Sequence, residues 1–189
     1  MTSLDIILII VGLLVIILSA TQGLIRVLIM FFAFYMVCLA AGMVTLAAEM
    51  VQRLGSTIAI AFNNDPPPLA MAQVIVFLCV FIPLFIAAYF LSKVAFGDTS
   101  LPEIKALDNI LGAVTGIVLA LFIMAVLCNT WGIAATAPRL HQTLFWIKMQ
   151  NAYYGSVLRP TMLQILGIYQ ILQFVFRYLE YPPFFVPLW

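Results

Sequence analysis

LDIILIIVGLLVIILSA (residues 4–20), TQGLIR (21–26) and VLIMFFAFYMVCLAAGMVTLAA (27–48) follow one another without interruption. The first run is apolar apart from Asp5 at its edge and Ser19 near its end. At ~1.5 Å per helical residue it just crosses a thin hydrocarbon core. The third run is long enough to cross back. A connection this short makes the two helices antiparallel neighbours, so the segment predicts a helical hairpin whose solvent is lipid.

The same criterion extends along the chain. An Asp, Lys or Arg at mid-bilayer costs roughly 2.5–3.5 kcal/mol, whereas Leu, Ile, Phe and Val are favourable there. The uncharged runs 70–91 and 110–131 are therefore a third and a fourth span. Asn63, Asn64, Asp65 and the triplet Pro66, Pro67, Pro68 precede the third as a rigid polar loop. Pro83 lies inside that span, leaves the Cys79 carbonyl without its usual donor and predicts a kink. Trp131 ends the fourth span at interface depth. The first span is expected to be retained and not cleaved as a signal peptide, since Met1 to Asp5 holds no basic residue.

Composition supports this reading. The chain of 189 residues is 66% apolar and 8% charged, with a mean hydropathy of +1.20, against ~45–50% and ~25% for globular proteins. So few charges leave a soluble fold with an intolerably large apolar surface. A formal charge of +1 provides no basic field to collect nucleic acid, which excludes that class of partner. Membrane lipid and other integral membrane proteins are the expected partners. Basic residues favour both termini on the cytoplasmic side, with Arg53, Arg139, Lys148, Arg159 and Arg177 on one face and Arg26, Lys93 and Lys105 on the other.

Residues 1–131 thus form a four-helix transmembrane domain, and 132–189 an amphipathic interfacial tail. In the tail, Leu140, Leu144, Ile147 and Tyr154 share one face of a helix over 138–154, while Arg139, His141, Gln142 and Lys148 lie on the others, which fits a helix at the interface. Residues 161–179 carry the polar stripe Thr161, Gln164, Gln170, Gln173 and Arg177. Their length permits a fifth span or a helix lying flat, and the flat placement is preferred. Pro182, Pro183 and Pro187 among Tyr181, Phe184, Phe185 and Trp189 read as an extended strap whose aromatic residues dock a partner.

Ion-coupled transport needs ionisable groups within the membrane. Between Ile6 and Ile25, Val27 and Ala48, Pro66 and Ser92, and Asn109 and Pro138 there is no Asp, Glu, Lys, Arg or His. Cys38, Cys79 and Cys128 are isolated and read as small apolar fillers, and His141 is the sole histidine. Ser19 and Ser92 have no base to activate them. No catalytic residue, cofactor or metal is expected, and the chain is not read as an enzyme. The clearest local signal is Gly112, Gly116 and Ala120, which line one face of the fourth span and permit close helix approach. Asp108, at the start of that helix, is placed to cap its first turn.

Leu4-Asp5 opening the first span, Gly23 and Arg26 in the hairpin, Leu107-Asp108 followed by Gly112 and Gly116, and Ser156 to Pro160 in the tail occur together in one order. In that order and spacing, over roughly residues 3 to 165, the chain resembles the colicin V production protein (CvpA) family. The resemblance implies a four-helix protein of the bacterial inner membrane linked with colicin export and envelope phenotypes, and it supplies no catalytic residues. The expected function is a non-enzymatic membrane subunit or scaffold of a larger complex. The alternative is a channel or export component passing a small solute, with Gln164, Gln170 and Gln173 lining its path.

Overall fold

The computed structural model describes residues 1–61, 69–95, 105–137 and 144–172. Its helices are α1 (Ser3–Gln22), α2 (Leu24–Val44), α3 (Ala48–Ala61), α4 (Leu69–Ala95), α5 (Lys105–Thr136), α6 (Leu144–Tyr154) and α7 (Arg159–Leu172). Four of them, α1, α2, α4 and α5, are long and apolar enough to cross a membrane. Local chemistry sets the breaks. Thr2 and Asp5 form a reciprocal capping box that starts α1. Gly23 separates α1 from α2 at φ 79° and ψ 165°, a conformation essentially confined to glycine. At the end of α2, Thr45 turns its hydroxyl back onto the Gly42 carbonyl at 2.6 Å.

α1 lies along α5 in the most extensive helix contact of the molecule, while α2 packs against α4 and, less extensively, α5. α3 leans on α4, and α6 and α7 pack on α5. The main core lies where α2, α4 and α5 meet. There Phe34 makes edge-on contacts with Phe81, Phe85 and Phe122 at ring separations of 5.4–5.6 Å, a geometry worth about 0.5–1.5 kcal/mol per pair beyond the area buried. A second core joins Leu4 and Leu8 of α1 to Cys128 of α5, Tyr153 of α6 and Met162 of α7. Cys38 and Cys128 are buried in these cores as free thiols, and Cys79 is exposed.

Several boundaries differ from the sequence expectation. The second span ends at Val44 and not at residue 48, and a separate amphipathic helix follows. In α3, Val51 is fully buried against Ala72 and Val76 of α4, while Glu49, Gln52 and Arg53 are exposed. Apolar composition runs on through Leu46 and Ala47, so hydropathy alone carries the span past its end. The helix of the fourth span, α5, continues five residues beyond Trp131, whose indole N–H donates to the Met149 carbonyl at 3.2 Å. Pro83 sits on the exposed face of α4, which runs through it as one helix.

On α6, Leu144, Ile147 and Tyr154 of the expected apolar face are exposed, and Ala152 and Tyr153 are buried. The adjacent Gln150 amide holds the Ala135 carbonyl at 2.8 Å, and Tyr153 lies over Gly132, where a Cβ would meet its ring at 2.5 Å. Side-chain fit to the end of α5 sets the rotation of α6, and its apolar stripe is left facing outward. α7 is described over 14 residues, and residues 173–179 of the expected helix lie outside the described residues. Gln164 is exposed on it. His141, Gln173, Arg177 and the strap residues Tyr181, Phe184, Phe185 and Trp189 lie outside the described residues.

Candidate functional site

The residues that carry the family resemblance converge on two junctions at opposite ends of the α1–α5 pair. At the first, Asp5 lies in the opening turn of α1 with no solvent exposure. Its Oδ1 accepts from the Ser156 hydroxyl at 2.5 Å and from the Leu158 amide at 3.2 Å. Its Oδ2 accepts from the Thr2 amide at 2.8 Å and the Val157 amide at 3.4 Å. Val157 and Leu158 immediately precede α7, so the carboxylate faces the positive end of that helix as well as capping its own. Ser156 also accepts from the Arg159 amide at 3.2 Å, which ties the connection between α6 and α7 to the first turn of α1.

Arg159 extends from this junction over two rings, its guanidinium carbon 4.5 Å from the centre of Tyr153 and 5.2 Å from that of Tyr154. Stacking of this kind disperses a cation without requiring a carboxylate partner. Burial raises the Tyr153 phenol above its ordinary range, and the neighbouring Arg159 opposes that shift. The pair keeps α6 against α5 as a neutral phenol beside a delocalised cation.

The second junction is built around Asp108, buried in the first turn of α5. Its carboxylate accepts from the Leu24 amide at 2.9 Å. Leu24 is the first residue of α2, so Asp108, in the first turn of its own helix as the sequence places it, also caps the N-terminus of a neighbouring helix. Gly23 fits directly against the carboxylate, and a Cβ there would collide with Asp108. One turn along, a Cβ on Gly112 would lie 2.8 Å from the Ser19 carbonyl and 3.1 Å from the Gly23 Cα. The Ser19 side chain fills the space over Gly116, and Ala120 is buried one turn further on. Gly12, on the opposite helix, is met by the Met124 sulfur. The small-residue face of α5 therefore receives α1, with backbone-to-backbone approach at the hairpin end.

Sequence reasoning placed Asp5 at a span edge and gave it no role. The signal that marks it is the spacing Thr2-x-x-Asp5 together with Ser156 before Pro160, two N-terminal helix signatures. Neither signature alone reveals that one carboxylate serves both helices. Chemically, both aspartates act as acceptors for fixed backbone and hydroxyl donors, and each joins segments far apart in the chain. No curated protein and no solved structure matches this chain. The family model of the colicin V production protein matches residues 4–166, which takes in both junctions from Asp5 to Ser156. Together with four helices able to span a bilayer, this match identifies the chain as a multi-pass membrane protein belonging to the colicin V production protein family.

Proposed function

We propose that this protein is a non-enzymatic subunit or scaffold of a larger complex in the bacterial inner membrane. The observation that carries the reading is the engagement of Asp5 and Asp108, the buried carboxylates among the described residues, by donors that fix helices and not by groups that react. A frame locked at both ends suits a part that presents surfaces to neighbours. Its outward faces are apolar, among them α4 with Ile82, Ile86, Phe90 and Leu91, α1 with Ile10, Leu14 and Ile17, and the stripe of α6 at Leu144 and Phe145. Lipid covers such surfaces in an isolated chain, and other membrane helices replace it without an added desolvation cost.

Purification in mild detergent followed by mass analysis of the co-purifying chains tests the proposal. Reproducible recovery of further membrane proteins is expected. Recovery as a lone, monodisperse 21.0 kDa monomer overturns it. Removal of residues 181–189 is expected to weaken assembly and leave insertion intact, and unchanged recovery of partners refutes the docking role of Tyr181, Phe184, Phe185 and Trp189.

A further inference from the structure

Between α1, α2, α4 and α5 lies a cavity of about 380 Å3, open along part of its flank, within the ~300–1,000 Å3 range of small-molecule sites. Its walls are hydrocarbon: Val15 and Leu18 on α1, Met30 and Phe34 on α2, and Phe81 and Phe85 on α4. Lining residues run from Val11 to Gln22 on α1, from Phe77 to Tyr89 on α4 and from Leu119 to Thr130 on α5. On each of these helices the lining covers twelve or thirteen residues, about 16–18 Å of helix rise. A space whose middle is lined by hydrocarbon offers water few of the several polar partners it needs, and left empty it forfeits the dispersion contacts of its lining.

The two ends differ. At the inner end the Thr130 hydroxyl turns back to the Val126 carbonyl at 2.7 Å. At the hairpin end the lining includes the Gln22 amide and the Tyr89 ring. One turn further toward that membrane face stand two cations: Arg26, four residues before Met30 on α2, and Lys93, four residues after Tyr89 on α4. Residues four apart share a helix face, so both basic groups lie beyond the apolar lining on the faces that form it. The nearby carboxylate, Asp108, is held by the Leu24 amide. α1 and α4 line the cavity without packing closely on each other, which gives a chain lateral access from the bilayer. We propose that this cavity holds one acyl chain of a membrane phospholipid, with the glycerol esters at Gln22 and Tyr89 and the phosphate near Arg26 and Lys93. The site does not depend on whether larger partners are bound.

The test uses the full chain reconstituted with phosphatidylethanolamine and phosphatidylglycerol, the latter carrying a photoreactive diazirine in mid-acyl chain. Detergent extraction and washing precede irradiation, so that only firmly held lipid labels the protein. Label is expected on Met30 and Phe34, which are 8% and 3% exposed and line the cavity, in preference to Phe32 and Met36 on the outer face of the same helix, at 64% and 62%. Label confined to Phe32 and Met36, or no label, overturns the proposal. Val15→Trp is expected to lower labelling by about tenfold, whereas Ile17→Trp, on an exposed position of the same helix, leaves it unchanged; equal labelling in the two overturns the site. Arg26→Gln combined with Lys93→Gln is expected to lower phospholipid retention by about thirtyfold, from ~1 kcal/mol per basic group at the membrane surface. Solvent extraction of protein purified from its native membrane is expected to release phospholipid. Release of an isoprenoid lipid with no phospholipid also overturns it.

Discussion

The Asp5 and Asp108 junctions use one device in two ways. Each aspartate sits in the first turn of its own helix and points its carboxylate at backbone N–H groups where another helix begins. At Asp5 the joint is stitched: one side chain gathers a hydroxyl and two backbone amides from the remote segment 156–158 and the Thr2 amide of its own cap, and the packing around it is supplied by ordinary side chains such as Leu4, Leu8 and Tyr153. At Asp108 the joint is pressed together. An interhelical hydrogen bond to Leu24 accompanies a close approach that only Gly23, Gly112 and Gly116 permit. The lesson is that the two ends of the α1–α5 pair fail differently: the first is sensitive to loss of acceptors, the second to added volume.

Substitution of Asp5 by Ala is expected to produce the largest effect. It leaves the Ser156 hydroxyl and the amides of Thr2, Val157 and Leu158 without their acceptor, at about 1–3 kcal/mol for each that stays buried. A loss of about 4 kcal/mol is expected in equilibrium unfolding by SDS in mixed micelles. A loss below about 1 kcal/mol breaks the comparison, because the stitched end then depends on its packing. At the other end Gly116→Leu forces the Ser19 side chain and α1 away from α5. Overpacking of this kind costs about 1–3 kcal/mol, and the upper end is expected, measured in the same assay.

These unequal joints also explain what was legible in the sequence. The spans are local properties, since a run such as 4–20 has no alternative to lipid once it folds as a helix, and four apolar runs announced four helices. The small-residue spacing of Gly112, Gly116 and Ala120 is local too, and it marks the face that meets α1. The Asp5 partnership is not local: Ser156 lies 151 residues away, and no periodicity connects them. Asp108 was legible as an acidic group in the first turn of α5, but its bond to Leu24 was not, because 84 residues separate the two. α3 was missed because the reading rested on hydropathy, whereas the chain turns at Thr45 through hydrogen bonds that hydropathy does not see. The cavity was invisible for a related reason: its walls are the most ordinary residues of four helices, and the space exists only in their arrangement.

Gly23→Ala sharpens the difference at the hairpin. Gly23 occupies φ 79° with ψ 165°, a region that costs an L residue about 1–3 kcal/mol, and the new methyl group meets the Asp108 carboxylate. A loss of about 2 kcal/mol is expected, and Asp108→Ala in the same chain is expected to recover part of it by removing the obstacle. If the double variant is as unstable as the sum of the two single ones, the two residues do not press on each other and the steric account of this end is wrong.

The smallest effect, and the most discriminating, belongs to the paired exchange of carboxylate for amide. In Asp108→Asn the amide oxygen still accepts from Leu24, and what is lost is the interaction of charge with the start of α2, about 0.3–1 kcal/mol. In Asp5→Asn one oxygen must serve donors that now occupy two, and the new NH2 group is turned toward the Thr2 and Val157 amides or toward the Ser156 hydroxyl and the Leu158 amide. Among these only the hydroxyl can rotate to accept, so at least one donor faces another donor, and a cost of about 2 kcal/mol is expected. Measured side by side by SDS unfolding, the exchange at position 5 should exceed that at position 108 by at least about 1 kcal/mol. Equal costs would show that charge, and not the number of acceptor sites, is what both junctions require.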